Sequence, residues 1–388
     1  MCPGGVAERR LAWWTRGLMA AGTPAPLLPD YTGGGLTAVL PALLGHHDMP
    51  AMPTEVADAQ SVVLLIVDGL GWNQLQDRTG VAPTLAAMAG GAITSVAPTT
   101  TATALTSIAT GCTPGEHGVV GYRTFIGGEV TNMLRWWGDV SGDRRRRLQP
   151  SEVQCVPPFL GQRVPYVTAS ELIGSAFSDA HLRGGEPHGY RSPSSLPVVV
   201  SDLIESGHRF VHAYYAGVDK IAHERGFGAF YDAELALTDR MVRELLERLP
   251  SDCALVVTAD HGQVEVGDSI VHPSTDLLSC VAEQSGEGRM RWFHARPGAE
   301  RDVFAAAAEE FATTGWVLSR EQVVADGWFG PSITDGVAAR LGDVVVAAHA
   351  AVSYDDPDDG GPFDLVCRHG SLTPDEMLVP LIAARGER

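Results

Sequence analysis

The sequence predicts an α/β fold: a three-layer α/β/α sandwich around a mostly parallel sheet, with inserted cap-like segments. Three observations lead there. Ser61–Val67 is a continuous apolar run, of the kind buried on both faces of a parallel sheet. Strand-like and helix-like stretches alternate after it. Acids follow the strand-like runs directly, at the carboxyl ends where open α/β sheets collect ligands.

Taken in order, residues 1–60 are rich in Gly and Pro, include Gly33-Gly34-Gly35, and predict a wrapping loop with one short helix over 36–44. The run 61–67 is the central strand and ends in Asp68-Gly69. Residues 84–89 predict a helix, 92–96 a second strand, and Thr101 opens a helix ending near Gly111. Residues 210–215 and 254–258 predict two more strands, each feeding an Asp. Between them, 232–249 has the apolar spacing of an amphipathic helix. Two regions fit this core poorly and are expected as insertions flanking the site. Residues 123–200 hold Trp136, Trp137, an arginine run at 144–147 and several prolines. Residues 265–345 hold a strand-like 290–294 and a helix near 302–313. Residues 355–361 (DDPDDGG) predict a solvated turn. No internal repeat is found.

A chain of 388 residues can bury one large α/β core or two smaller ones. Its 45% hydrophobic and 19% charged content is that of a globular protein. A net charge of −19 argues against a nucleic-acid polymer as partner, because phosphate backbones are repelled at long range. Small phosphate substrates stay open, since bound metal ions invert the local field. Lys220 is the only lysine. The six cysteines (2, 112, 155, 253, 280, 367) form no CxxC and read as reduced thiols. Arg9-Arg10 followed by residues 11–22 imitates a signal segment, but Arg16 interrupts it and the apolar run is too short. The run 61–67 falls far below a membrane span. The expectation is a cytoplasmic protein with no membrane partner.

Asp219 and His223 stand four apart, expected on a strand end or the turn after it, where both reach one cation. Asp260 and His261 are adjacent; a tight turn at Gly262 would let both bind metal, or each could serve a different metal. Carboxylate oxygen and imidazole nitrogen suit Zn²⁺, and also Mn²⁺ or Fe. Thr101 sits at a helix start, where backbone N–H groups and the dipole favour a phosphate. A threonine hydroxyl is a poor nucleophile until a metal on its oxygen lowers its pKa. Singly, each piece has a plainer explanation: threonine at a helix start is usually a cap, and an Asp-His pair at a turn is usually a hydrogen bond. With Asp68 and His369 added, three Asp, three His and one hydroxyl form the donor set of a two-metal site with its own nucleophile. That points to metal-assisted hydrolysis of a phosphate ester.

The ordered set resembles the alkaline phosphatase superfamily, in its nucleotide pyrophosphatase/phosphodiesterase-like branch. The resemblance rests on Leu65-Ile66-Val67-Asp68-Gly69, Ala97-Pro98-Thr99-Thr100-Thr101, Thr110-Gly111 with Pro114-Gly115-Glu116-His117-Gly118, Val218-Asp219 with His223, Ala259-Asp260-His261-Gly262, and His369-Gly370 with Val379-Pro380. It runs over most of 60–270 and returns at 366–382. It implies a single alkaline-phosphatase-like domain over 1–388, with 123–200 and 265–345 inserted. It implies that Asp219, His223 and His369 hold one metal, and that Asp68, Asp260 and His261 hold the other, with Thr101 bridging to it as nucleophile. Two such metals lie ~4 Å apart, and a phosphorylated Thr101 is later cleaved by water. It also implies an Asn three residues after the nucleophile, binding a phosphate oxygen; Ala104 stands there, with Asn73, Asn132 or Lys220 as compensating candidates. Cys112-Thr113-Pro114 lacks the following Arg of the sulfatase motif and lies after the helix, not at the nucleophile position.

The function expected is hydrolysis of a phosphodiester or pyrophosphate bond in a small phosphate-ester substrate, a nucleotide among the candidates. Alternatives are a phosphomonoesterase or phosphonate hydrolase on the same site, and an inactive metal-binding scaffold. His117 reads as a loop residue, His212 as packing, and His46, His47, His181, His188, His208, His294 and His349 as surface or core histidines. His272 follows the second metal motif and is the least settled. Trp136 and Trp137 read as packing, against an aromatic wall for a nucleobase. The 144–147 arginines read as a solvated loop.

Overall fold

The computed structural model describes residues 22–359 and 365–388. The leader-like stretch at 9–21, Cys2 and the end of the 355–361 turn lie outside them. The main sheet has seven strands in the order Ala89–Thr94, Leu378–Arg385, Cys253–Thr258, Ser61–Val67, Phe210–Tyr215, Pro165–Ala169, Glu186–Tyr190. Four of its six pairings are parallel; Leu378–Arg385 is antiparallel to both neighbours. Ser61–Val67 sits in the middle and is buried along its whole length. An unbroken run of Val, Leu and Ile belongs where both faces are covered.

Helices cover the two faces, and strand Phe210–Tyr215 shows how. Its Tyr214 points toward Asp68, while Tyr215 on the opposite face bonds to Glu234 of helix Ala229–Arg248. On the first side helix Thr101–Thr110 packs between Leu36–Leu43 and Ala176–Leu182. On the other, Ala229–Arg248 packs on Leu196–Glu205 and Pro83–Ala87.

The second sheet is antiparallel and joins two stretches far apart in the chain. It runs Gly315–Ser319, Val344–Ala348, Met290–Ala295, Val281–Glu287, Arg123–Ile126, Glu129–Asn132, Trp137–Gly138, Gly142–Asp143. Helix Glu300–Phe311 packs on it through Val303 and Phe311 against Phe293, Val344 and Val346. The expected insertions therefore differ from the structure in one respect. Residues 123–143 and 281–348 build this sheet together, but Pro165–Ala169 and Glu186–Tyr190 extend the main sheet. Those strands are short and hold Pro, His and Gly in place of an apolar run, so their sequence hides them.

Two solvated-loop expectations are also corrected. Asp356 is buried and pairs with both Arg123 and Arg291. Arg144 is buried, bonded to the Ile126 carbonyl at 2.7 Å and paired with Glu129 at 3.2 Å; Arg145, Arg146 and Arg147 are exposed. Trp136 is fully buried, and Trp137 is 55% exposed. No helix among the described residues is long and apolar enough to cross a membrane.

Candidate metal centre

The loops at the carboxyl ends of the central strands converge. Asp68 leaves Ser61–Val67 with its N–H on the Tyr215 carbonyl, 2.9 Å. Gly69 follows at φ +71°, and a Cβ there would lie 3.0 Å from the Asp219 Cα. The Asp-Gly pair is thus required by both backbone conformation and close approach. Asp219 and His223 do not lie on a strand end. They occupy helix Gly217–Arg225, one turn apart and on one face, with Asp219 Oδ1 3.2 Å from His223 Nε2. The chain passes from Tyr215 through Ala216 straight into helix, so no extended segment remains to carry them.

After strand Cys253–Thr258 a bend at Asp260 turns both adjacent side chains inward, with His261 Nε2 3.4 Å from Asp260 Oδ2. Gly262 lets the loop pass beneath Asp375, whose carbonyl would be 2.0 Å from any Cβ. His369 arrives on a loop pinned to the nucleophile's approach: Thr99 Oγ1 donates to the Ser371 carbonyl at 2.7 Å and accepts from the Gly370 N–H at 3.0 Å.

Each histidine has Nδ1 on a backbone carbonyl: His223 on Cys367 at 2.7 Å, His369 on Thr99 at 2.7 Å, His261 on Gly262 at 3.1 Å. A proton held on Nδ1 leaves Nε2 as a lone-pair donor, the orientation that metal-binding histidines show. The His261 and His369 rings stack at 3.6 Å. Donor atoms of Asp219, His223 and His369 lie within 4.8 Å of one another, and so do those of Asp68, Asp219 and His261. The second group takes in Asp260 as well, through His261. Asp219 belongs to both groups.

The cluster concentrates acidic groups away from water. Asp68 Oδ1 and Asp260 Oδ2 are buried and unpartnered. Burial, then Asp260 and Asp219, hold the Asp68 carboxyl well above the usual carboxylate range. Burial raises Asp260, with His261 opposing. Burial and the neighbouring His261 and His223 hold His369 well below an ordinary imidazole. Buried carboxylate oxygens beside imidazole nitrogens fit divalent cations, which both donor types can bind.

Thr101 is the first residue of helix Thr101–Thr110, with Oγ1 3.2 Å from His261 Nε2. Ala104 is fully buried in the main core. Of the compensating candidates, Asn73 is engaged with Asp375 at 2.7 Å and Asn132 with Tyr122. Lys220 is exposed and lines a cavity of about 240 Å³ that opens beside Asp68, Thr101 and Asp219. His272 lies outside the cluster, 2.9 Å from Asp355. His117 is buried and bonded to Ser107 at 2.8 Å.

Sequence reasoning missed three supports. Tyr214 donates its hydroxyl to Asp68 Oδ2. Gln263 donates to Asp219 Oδ1 at 2.6 Å. Arg289, in the second sheet's Glu287–Met290 turn, grips Glu376 through two bonds of 2.7 and 2.9 Å. Gln263, next to Asp260-His261-Gly262, carried a positional signal; the Arg289–Glu376 pair carried none.

The sequence matches the family described as type I phosphodiesterase / nucleotide pyrophosphatase over residues 62–139 and 198–372. Among solved structures, murine ectonucleotide pyrophosphatase / phosphodiesterase 5 is similar with TM-score 0.63 and 14% identity, over 83% of this chain and 87% of that one. An inactive form of the same murine protein, in complex with AMP, gives 0.62 at 14% identity, with 83% and 87% covered. Phosphonoacetate hydrolase from Sinorhizobium meliloti 1021, in complex with phosphonoformate, gives 0.62 at 18% identity, with 84% and 91% covered. At these identities the likeness is one of fold. No curated protein sequence matches the chain.

Proposed function

Since the chain belongs to the type I phosphodiesterase / nucleotide pyrophosphatase family, a family of phosphoric ester hydrolases, we propose that it cleaves a phosphodiester or pyrophosphate bond of a small substrate with Thr101 as nucleophile. Asp219, His223 and His369 would hold one divalent cation; Asp68, Asp260, His261 and Thr101 would hold the other. The donor set suits Zn²⁺, and also Mn²⁺ or Fe. Bound there, the cations neutralise phosphoryl charge and lower the pKa of the Thr101 hydroxyl.

The residues do the rest. Thr101 Oγ forms a bond to phosphorus as the bond from phosphorus to the leaving oxygen breaks. Free N–H groups at the start of helix Thr101–Thr110 face the phosphoryl oxygens. Tyr214 and Gln263 fix the Asp68 and Asp219 carboxylates. Water then cleaves the Thr101–phosphorus bond. The observation that carries this reading is the convergence of Thr101 Oγ1 on His261 Nε2 at 3.2 Å, beside the orphaned Asp68 Oδ1 and Asp260 Oδ2.

Thr101→Ala is expected to lower turnover by ~10³-fold or more while the protein keeps its metal; near-normal activity would sink the covalent route. A second reading, phosphonate or phosphomonoester hydrolysis, is favoured by the fold shared with the Sinorhizobium phosphonoacetate hydrolase. A chromogenic diester beside its matching monoester, on metal-stripped protein re-supplied with Zn²⁺ or Mn²⁺, separates the two by kcat/KM. Protein that holds two metals and hydrolyses no ester would return the scaffold alternative. A cytoplasmic location belongs to the same proposal, supported by five unpaired cysteines among the described residues.

A further inference from the structure

The cavity beside Thr101 has a chemistry that changes along its length. Its floor is one face of two parallel strands. Tyr166 and Thr168 of Pro165–Ala169 lie beside His212 and Tyr214 of Phe210–Tyr215, in a register that sets Tyr166 against His212. Phe177 and Leu105 wall it from the helices above. Among the lining residues Asp68, Asp219 and Lys220 carry charge, and the two acids belong to the metal cluster.

The inner end carries no charge. His181 has Nδ1 on the Phe177 carbonyl at 2.7 Å, and burial holds it down to about 4. The Ser178 hydroxyl is taken by the Leu172 carbonyl at 2.7 Å. His212 is 3% exposed, and burial holds it down to about 3. Two buried imidazoles and an engaged hydroxyl thus line the inner end, in surroundings that would penalise a charge.

Size narrows the occupant. At about 240 Å³ the cavity exceeds the ~150 Å³ that admits benzene, yet falls short of the ~300–1,000 Å³ of drug-sized sites. A ring with a substituent fills it. A second phosphate placed at the inner end would meet no cation.

We infer that this cavity seats the organic group of the ester, and that the group is compact and uncharged, about the size of a single ring. The orientation, phosphoryl at the metal end, rests on the phosphoric ester hydrolase reading above. Among phosphodiesters, those of compact aromatic or branched-alkyl alcohols are then better substrates than those of nucleosides.

Two arms test it. The first titrates para-fluorophenol into metal-free protein by fluorine NMR and reads the cavity without chemistry. Binding is expected, weakened tenfold or more by Leu134→Trp, a change at a rim position 37% exposed. The second compares kcat/KM for methyl, benzyl and thymidine esters of one phosphodiester on Zn²⁺-loaded protein; the three leaving groups are all alkoxides of similar basicity. The benzyl ester is expected to exceed the methyl ester by ~30-fold or more, within the range that apolar pockets achieve, and to exceed the thymidine ester as well. Absence of fluorophenol binding overturns the inference, and so does a thymidine ester preferred over benzyl. Fluorophenol binding with no ester hydrolysed keeps the cavity and removes the hydrolase reading. Hydrolysis of methyl and benzyl esters at equal rates keeps the hydrolase and removes the cavity's role.

Discussion

Arg289→Met removes the cation of a fully buried pair and leaves its carboxylate behind. Arg289 and Glu376 are both 0% exposed. Arg289 meets the two Glu376 oxygens at 2.7 and 2.9 Å, and its Nη1 also donates to the Ala350 and Val352 carbonyls, each at 2.9 Å. In the variant, Glu376 keeps only the Ser371 N–H at 2.9 Å and the Thr373 hydroxyl at 2.6 Å. Breaking a buried pair by deleting one partner costs ~3–5 kcal/mol. Of the two carbonyls, Ala350 keeps the Val352 N–H at 2.9 Å, and the cost of the abandoned Val352 carbonyl overlaps with that figure and does not add in full. A loss of about 4 kcal/mol is a large part of the ~5–15 kcal/mol that folded proteins hold in reserve. The assay is urea unfolding of wild type, Arg289→Met and the double variant Arg289→Met/Glu376→Leu. The double variant should recover part of the loss, because it leaves no buried charge. The loop that Glu376 anchors presents His369, so zinc affinity of the single variant should fall ~10–100-fold. A stability loss below about 1 kcal/mol, or a double variant worse than the single, would refute the reasoning.

Other expectations follow from the cluster's charge. Zn²⁺ at a hundred times its dissociation constant should raise unfolding stability by ~2.7 kcal/mol per site, and chelation should remove it. Asp68→Asn should stabilise metal-free protein, because Asp68 repels Asp260 and Asp219, yet abolish part of the zinc response; a destabilised apo variant would contradict this. Tyr214→Phe removes the donor to Asp68 Oδ2 and should weaken metal binding ~10-fold or more, measured by competition with a chromogenic chelator. Glu287 is buried, and burial pushes its carboxyl up to about 8. Between about pH 5 and 8 the folded state therefore keeps a proton that the unfolded chain has released, so stability falls as pH rises. Glu287→Gln should flatten that fall, by up to ~1.4 kcal/mol per pH unit; urea midpoints of chelated protein that keep the wild-type slope would disprove it.

The parts of the fold that the sequence displayed were those whose burial is uniform. Ser61–Val67 and Phe210–Tyr215 were readable to the residue, because central strands must be apolar on both faces. Thr101–Thr110 announced its end through Gly111, which takes φ +69°. The sheet's far edge was not readable. Glu186–Tyr190 has one buried residue in five, so it needs no apolar pattern. Leu378–Arg385 contains Pro380, which argues against an interior strand; the structure tolerates it because Pro380 faces Ala92 on one side, and pairing with Cys253–Thr258 starts only at Leu381. Seven candidate site residues were legible as donor types in order along the chain, and the structure brings all seven together. Their scaffolding was not. The helix carrying Asp219 and His223 begins at a glycine without a side-chain cap, and Arg289 meets Glu376 across 87 residues, a contact that no local pattern encodes.

Lys220 gives the molecule an unusual chemical address. It carries the sole ε-amine in 388 residues and stands at the rim of the cavity beside Asp219. An acylating dye or a reductive-methylation reagent thus finds one side-chain target, where most proteins of this length offer many. Labelling becomes site-directed without any engineering. A fluorophore attached there sits at the threshold of the metal cluster and reports what enters, and a resin coupled through the same amine would block that entrance on every molecule it holds.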